Sequence, residues 1–422
     1  MLSTFVLSIA LLTGGISWLP IIVLWGVNLD VDNIGRLLTI AMLPILIIKN
    51  GFKIRIDYIL IVLLLWIVWT AALLNVHTGS DGIEIIRMWL VETIFAFTIL
   101  NCKIKSIISL KVITIISVFV LSFVFVTSAY FAGIDLVGDT LNYLYTQDRS
   151  HFLYYTLKST FNAFTPFVKD INEYNSAVMN KLAASYSLLY TFLLFMPKSN
   201  SSIVNKMNIA ALGMSAVFIL LLFSTSSVLM FLFSTLIYTK LRMKQNRLGL
   251  VIIITIIGIV LTSIVIVFAG SDILTYLQYQ FDSDLGSREG RILQFTGALK
   301  YIQQFPIIGV GYVTFDGNAV HNWALFSWMA GGIVSLLLTI TVYILLAAKI
   351  VSIKNKMSKN NKYNSILIYL LSALSFIFIV RTMVGGAGGV ASGAGMIALA
   401  IFLLLSKTGY VCNTYETNKT LS

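Results

Sequence analysis

Residues 322–348 read NWALFSWMAGGIVSLLLTITVYILLAA and contain no charged side chain. A helix of about 20 residues crosses the hydrocarbon core of a bilayer, so an apolar run of this length is typical of a membrane span. A spanning segment must also satisfy its backbone hydrogen bonds internally, which favours a helix. This stretch therefore indicates a helical membrane protein.

The composition of the whole chain agrees with that interpretation. Hydrophobic residues make up 58% of the sequence, charged residues 11%, and the mean hydropathy is +0.92. Soluble domains carry about 25% charged residues, and a membrane β-barrel would show alternating segments of about 10 residues, which do not dominate here. The first 25 residues lack a basic region and a small-residue cleavage site, so we interpret them as a retained span rather than a signal peptide.

The predicted fold is an all-α polytopic membrane protein, a single membrane domain over residues 1–422. Two connections, at about 134–175 and 270–320, are far longer than ordinary helix–helix turns. Apolar runs predict about twelve transmembrane helices, at 4–24, 33–49, 58–75, 84–100, 109–133, 176–196, 207–224, 227–241, 248–269, 322–348, 364–383 and 388–406.

The distribution of charge predicts the orientation of these spans. Most Lys and Arg residues fall in alternate loops, whereas only Asp57 and Glu416 of the 17 acidic residues do so. By the positive-inside rule those loops and both termini are cytoplasmic, and the two long loops are extracytoplasmic. The net charge of +12 is then an orientation signal rather than evidence for nucleic-acid binding. Cys102 and Cys412 both fall on the cytoplasmic side, where a disulfide is not expected.

The second long loop contains a predicted amphipathic helix at 289–304. Its apolar positions recur at three- and four-residue spacing, and its other face carries Arg291, Gln294 and Lys300. Such a helix either lies on the outer membrane surface or packs into the bundle as a plug. Pro306 ends it, and the Gly-Val-Gly of 309–311 predicts a tight turn rather than a nucleotide site.

His321 and Asn322 stand at the start of the span quoted above. An imidazole can take or give a proton near neutral pH, and the span would hold it in place. The alternative is an interfacial histidine in an aromatic belt with Trp323 and Trp328. No cluster of His, Cys and carboxylate residues has the spacing of a metal site, so no metal is expected.

Arginines near the outer ends of spans are candidate anion ligands, because the planar guanidinium suits phosphate oxygens. Glu84 precedes Arg87 by one helical turn, so an ion pair explains that arginine equally well. The aromatic residues of the first long loop either stack on sugars or pack as a lid. The arginines concerned are Arg36, Arg87, Arg149, Arg288, Arg291 and Arg381.

Two stretches, GRILQFTGALKYIQQFPIIGVGY (290–312) and VHNWALFSWMAGGIVS (320–335), resemble the signature region of the O-antigen ligase/polymerase family. In that signature a Gly-Arg is followed by an aromatic residue, a Pro, a Gly-x-Gly, a His-Asn and, after nine residues, a Gly. The likeness in motif covers about residues 286–335. The twelve spans and two outer loops also resemble the family's architecture. The matching positions here are Arg291, Phe295, Ala298, Leu299, Pro306, Gly309, Gly311, His321, Asn322 and Gly332.

The resemblance implies a metal-independent, inverting glycosyltransferase with the C-type membrane architecture and no cofactor. Its substrates would be an undecaprenyl-diphosphate-linked glycan donor and acceptor at the outer face of a bacterial cytoplasmic membrane. His321 and Arg291 are then the expected catalytic residues. Membrane lipid and a chain-length regulator are expected partners. The expected substrate-binding residues are Arg288, Arg381, Arg149, Asn322 and Tyr312.

The sequence departs from the family pattern in the segment FSTSSVLMF. Ser227 stands where the family often has the Arg of a Thr-x-Ser-Arg, so Arg149, Arg288 or Arg381 would have to supply that charge. Ligases tend to keep this Arg, which favours a polysaccharide polymerase. The alternatives are an O-antigen ligase that transfers glycan to lipid A-core and, in another class, a polysaccharide flippase or transporter.

Overall fold

The structure of the protein is a computed structural model, which describes most of the chain. The described residues are 2–13, 20–24, 27–77, 80–103, 107–131, 171–221, 225–243, 293–311, 313, 320–356, 362–390 and 393–408. Within them the protein is overwhelmingly helical, with one short β-hairpin. The predicted span at 248–269 and most of the first long loop lie outside the described residues.

The N-terminal segment differs from its prediction. Helix α1 covers only Leu2–Thr13, and strands β1 (Pro20–Leu24) and β2 (Val27–Asp30) then form an antiparallel hairpin. The predicted helical span at 4–24 is therefore wrong over its last residues. Pro20 has no N–H to continue a helix and disfavours helical backbone in the residue before it. An apolar run of this length does not distinguish a helix from a buried strand.

The predicted span at 33–49 is divided into two helices, α2 (Val31–Ala41) and α3 (Leu43–Lys49). They are separated at Met42, and Pro44 lies in the first turn of α3. A proline is tolerated there because the first N–H groups of a helix have no partner in any case.

The other described helices lie within about five residues of their predictions at each end, except that the helix from Trp323 ends at Lys356 rather than 348 and the helix from Lys362 ends at Val390 rather than 383. The helix after the first long loop begins at Ile171, inside the range predicted as loop, and α12 continues through the Gly-rich run to Val390. The helices are α4 (Tyr58–His77), α5 (Ser80–Leu100), α6 (Ile107–Phe131), α7 (Ile171–Phe195), α8 (Ser202–Leu221), α9 (Thr225–Met243), α10 (293–304), α11 (Trp323–Lys356), α12 (Lys362–Val390) and α13 (Gly393–Thr408).

Three stretches of the described chain are long and apolar enough to cross a membrane: Ser202–Ile219, Trp323–Asn355 and Ile366–Met383. Shorter apolar stretches of the described chain lie in α1, α4, α6, α7, α9 and α13. These lengths and compositions support a helical membrane protein.

The bundle is organised around α11, which packs against α4 and α12. Helix α4 also contacts α5, and α12 also contacts α9 and α13. Aromatic rings fill the space where α4, α5 and α11 meet. The centroid of the Trp66 ring lies 4.5 Å from that of Trp89 and 5.2 Å from that of Trp323. The Trp89 centroid lies 5.9 Å from that of Phe326. These tilted and edge-to-face geometries are the favourable ones for aromatic pairs.

Helix α11 is broken at Gly332, whose backbone has φ 66° and ψ −163°. The chain reverses direction there, and the two halves of α11 pack side by side: the Trp323 and Tyr343 rings lie 5.6 Å apart, and Thr339 Oγ1 donates to the Ser327 hydroxyl at 2.8 Å. Such a break interrupts the regular hydrogen bonds of the turn around it, and inside a membrane protein those groups need other partners. Segment 306–311 supplies several of them. Val310 N–H donates to the Met329 carbonyl at 2.8 Å, and Gly311 N–H donates to the Ala330 carbonyl at 3.0 Å. In return, Ile333 N–H donates to the Pro306 carbonyl at 3.1 Å.

Glycines make this contact between the two backbones possible. A Cβ on Gly332 would lie 1.9 Å from the Ile307 carbonyl oxygen, and one on Gly309 would lie 2.7 Å from the Ala330 backbone. Gly309 and Gly311 also have positive φ angles of 78° and 81°. The predicted tight turn at 309–311 is therefore a docking segment, which the rest of this article calls the 306–311 clamp.

Helix α4 supports the break from its other side. Trp69 Nε1 donates to the Gly331 carbonyl at 2.8 Å, and the Thr70 and Ser335 hydroxyls lie 3.1 Å apart. Trp66 Nε1 donates to the Ser327 hydroxyl at 3.0 Å. The broken turn of α11 is thus held between side chains of α4 and the 306–311 clamp.

Charged residues join three helices at the other end of α4. Asp57 is buried, and its Oδ1 caps α4 by accepting the Ile59 N–H at 3.1 Å. Its Oδ2 accepts from Lys349 of α11 and lies 3.7 Å from Lys407 Nζ of α13. This carboxylate therefore fixes the ends of α4, α11 and α13 relative to each other.

Cys102 follows α5 and is completely buried. Burial disfavours the thiolate and raises the pKa of Cys102 to about 12, although Ser3 and Arg55 act in the opposite direction. We therefore expect the folded thiol to stay neutral, and to react slowly with maleimides, well above neutral pH. In a Cys412→Ser background its labelling reports unfolding.

We expect Gly332→Ala and Gly309→Ala to destabilise the protein strongly, by about 3 kcal/mol or more, because strain at positive φ adds to a backbone clash. Gly51→Ala is the matched control for strain alone: φ is 66° but nothing lies within 4 Å, so about 1–2 kcal/mol is expected. Gly213→Ala lies in a helix with open space and should be neutral or stabilising. Thermal unfolding in detergent, with Cys102 labelling as the probe, measures the stability of all four variants. Equal effects of Gly51→Ala and Gly332→Ala would contradict the clamp.

Asp57→Asn should destabilise the protein by about 1–3 kcal/mol, since Asn keeps the helix cap but leaves two lysines without their counter-charge. Asp57→Ala removes the cap as well and should cost about 1 kcal/mol more. The same melting measurement tests both variants. If the Asn variant melts like the wild type, the ion pairs contribute nothing to stability.

Candidate functional site

His321 is held by a residue of α10. Its ring Nδ1 lies 2.8 Å from Gln294 Oε1, and its backbone N–H donates to the same oxygen at 3.3 Å. The ring is partly exposed, whereas Gln294 is buried. Two elements therefore fix the imidazole: the start of α11, which it precedes, and the buried face of α10.

The faces of α10 differ from their prediction. Gln294, expected on the polar face, is buried together with Ala298 and Ile302 at four-residue spacing. Phe295 and Leu299 are exposed, as are Phe305, Ile307 and Ile308 of the following segment. This apolar exposed face agrees with a helix that contacts lipid, and the buried face carries the polar contact to His321. Pro306 follows the end of α10, as predicted.

Asn322 caps α11. Its Oδ1 accepts the Leu325 N–H at 2.9 Å, and its backbone carbonyl accepts the Phe326 N–H at 2.8 Å. Asn is among the preferred residues at this position because its side chain satisfies an N–H without an intrahelical partner. The Asn322 amide also donates to Met383 Sδ at 3.5 Å. The observed role of Asn322 is therefore structural: it fixes the residue next to His321.

Arg381 is buried in α12, with 7% of its surface exposed. Its Nη1 donates to the Ser226 hydroxyl at 3.4 Å, in the first turn of α9. Ser226 directly precedes Ser227, the position at which the family whose signature this sequence resembles often carries an Arg. A guanidinium therefore reaches the start of α9 from a different helix.

Contacts between α11 and α12 bring the residues next to His321 close to the segment of α12 that carries Arg381. Trp323 packs edge-on against Phe378 with a centroid distance of 6.2 Å. The Tyr343 and Thr382 hydroxyls lie 2.9 Å apart. The Tyr343 ring also packs edge-on against Trp323 at 5.6 Å, because the two halves of α11 lie side by side. Together with the contact between Asn322 and Met383, these interactions hold the start of α11 against the segment of α12 that carries Arg381.

The other arginines named from the sequence have different environments. Arg36 forms a buried ion pair between α2 and α5, with its Nε 2.8 Å from Glu92 Oε1. A paired carboxylate gives Arg36 a structural role. Arg87 is exposed on α5. Arg149, Arg288, Arg291 and Tyr312 lie outside the described residues.

The sequence missed two contributions to this site. Gln294 was visible as a polar residue, but only its spacing from Ala298 and Ile302 indicated a buried position. Ser226 lies in a Ser/Thr run that carried no signal for an arginine contact, since Arg381 is 155 residues away. Among the described residues no group of three or more His, Cys, Asp or Glu side chains could hold a metal ion.

No protein-family model matches the chain, and no curated protein matches it either.

Proposed function

We propose that this protein is a glycosyltransferase that polymerises lipid-linked oligosaccharide repeat units into a surface polysaccharide. The observation that carries the proposal is that a positioned imidazole and a buried guanidinium lie on adjoining helices of a helical membrane bundle. His321 is oriented by Gln294, and Arg381 lies on the adjoining helix. The resemblance of residues 286–335 to the O-antigen ligase/polymerase signature supports the same chemistry.

The proposed reaction needs little more than these groups. The acceptor hydroxyl oxygen attacks the anomeric carbon of the donor, the bond from that carbon to the diphosphate breaks, and undecaprenyl diphosphate leaves. His321 takes the proton of the attacking hydroxyl, a step for which a positioned base contributes about 10²–10⁴-fold. The leaving diphosphate is already a good leaving group, so fixed positive charge provides the remaining stabilisation.

Arg381 is the described residue that would supply positive charge to the diphosphate. Because Arg381 is buried, it lies in surroundings of low dielectric constant, where its attraction to phosphate oxygens is stronger than in water. In this proposal Arg291 acts on the diphosphate with it, while Arg288 and Arg149 contact the substrate from the two long loops. The donor and acceptor would lie at the outer face of a bacterial cytoplasmic membrane, with both protein termini in the cytoplasm and a chain-length regulator as partner.

A ligase that transfers glycan to lipid A-core is the second candidate, and one contact favours it. The absence of Arg at Ser227 argued for a polymerase, but Arg381 reaches the neighbouring Ser226. Arg381 of α12 could therefore supply the positive charge that ligases tend to keep at the position of Ser227. The chemistry at the donor is the same in both candidates, and only the acceptor differs.

Deletion of the gene and complementation with variants test the proposal in the native host. We expect His321→Ala to abolish long polymer and Arg381→Lys to reduce it at least about 10-fold, because Lys keeps the charge but loses the planar fork. Gln303→Ala is the control, as Gln303 is exposed on α10. The measurement is the length distribution of surface polysaccharide on a gel.

The deletion phenotype separates the candidates. A polymerase deletion leaves single repeat units on the core, a ligase deletion leaves bare core with glycan on the carrier lipid, and a flippase deletion accumulates repeats on the inner leaflet. Polymer of normal length in cells that carry only His321→Ala would exclude the proposed role of the histidine.

A further inference from the structure

Two nitrogens of His321 contact the same oxygen of Gln294. Gln294 Oε1 lies 3.3 Å from the His321 backbone nitrogen and 2.8 Å from ring Nδ1. A backbone N–H is only a donor, so the side-chain atom that it meets must be an acceptor. In a Gln side chain that atom is the carbonyl oxygen. The same oxygen can bond to Nδ1 only if Nδ1 carries the proton.

We propose that Gln294 is a positioning residue that holds neutral His321 in the tautomer with the proton on Nδ1. The lone pair then lies on Nε2, which makes Nε2 the atom that accepts the proton of the acceptor hydroxyl. The tautomer follows from the contact between Gln294 and His321 alone. Its use in proton transfer rests on the function proposed above.

The surroundings of Gln294 suit this task. The side chain is 5% exposed, so water does not compete strongly for its oxygen. Its helix is joined to α11 a second time through the 306–311 clamp, and the two connections together fix the distance between Gln294 and His321. A neutral amide also orients the ring without the charge of a carboxylate, which would favour the imidazolium and leave less of the ring as free base near neutral pH.

The choice of tautomer has a direct chemical consequence. Each nitrogen of a neutral imidazole is either a donor or an acceptor, and the partner of one nitrogen decides the role of the other. Loss of the Gln294 acceptor lets the proton move to Nε2, and Nε2 can then no longer take the proton of the acceptor hydroxyl. The backbone and the position of the ring need not change for activity to fall.

Nitrogen NMR of the full-length protein in detergent tests the tautomer without any assay of activity. The chain has three histidines, so ¹⁵N-histidine labelling gives few signals, and a His321→Gln variant assigns those of His321. Spectra are recorded near pH 8.5, about two units above the ordinary histidine pKa. We expect a protonated Nδ1 and an unprotonated Nε2. A protonated Nε2 in the native protein would overturn the proposal.

Three variants separate positioning from packing. Gln294→Met has similar length but no strong acceptor and should shift the His321 signals towards protonated Nε2. Gln294→Glu keeps an acceptor oxygen and should retain protonated Nδ1, as a rescue by the conservative change. Gln303→Met, on the exposed side of α10, should leave the spectrum unchanged. An unchanged His321 tautomer in Gln294→Met would contradict the proposal, and Cys102 labelling confirms that each variant is folded.

Polymer length in complemented cells then tests the use of the tautomer. We expect Gln294→Met to lower polymer formation by about 10–100-fold, the loss that follows when the hydrogen-bond partner of a metal-bound histidine is removed. If the spectra agree with the proposal but His321→Ala cells make normal polymer, the tautomer stands and the proposed function fails. If His321→Ala cells make no polymer but native Nε2 is protonated, the function stands and the role of Gln294 fails.

Discussion

The break in α11 at Gly332 is the constraint on which the rest of the bundle depends. A helix that is interrupted inside a membrane protein loses backbone hydrogen bonds that lipid cannot replace. Here the carbonyls of Met329, Ala330 and Gly331 receive donors from outside the helix. Those donors come from the 306–311 clamp on one side and from Trp69 of α4 on the other. The break therefore joins three segments that are far apart in the chain.

This arrangement also explains how contacts on one side of the candidate site hold its residues together. The clamp follows α10 directly, so docking of the clamp places α10 next to the start of α11. Gln294 then meets His321, and the Asn322 cap fixes the residue beside it. The same start of α11 packs through Trp323 against Phe378 of α12, the helix that carries Arg381. A backbone defect in one helix thus contributes to the position of both candidate catalytic groups.

The sequence predicted most of the described helices because long apolar runs carry a strong signal. It was wrong at residues 20–24, where an apolar run forms a strand after Pro20. It found His321 and Arg381 from their chemistry and their places at span ends. It could not find the clamp, because Gly309 and Gly332 make contacts between backbone atoms, which carry no side-chain pattern.

The contact between Arg381 and Ser226 was equally invisible to the sequence. A pattern of residue types along a chain shows which charge is missing from a motif, as at Ser227. It does not show that a helix 155 residues later returns a guanidinium to the same place. Physical proximity between distant segments is the part of the site that only the fold provides.

The long separations within this core have a consequence for biogenesis. Asp57, Trp66 and Thr70 all lie on or beside α4, yet their partners on α11 follow 292, 261 and 265 residues later. At synthesis rates of about 5–20 residues per second, α4 waits roughly 15–60 s for these partners. During that time its polar groups face lipid, water or the insertion machinery. The order of translation therefore leaves α4 without these partners until α11 has been made, and without Lys407 beside Asp57 until α13 follows.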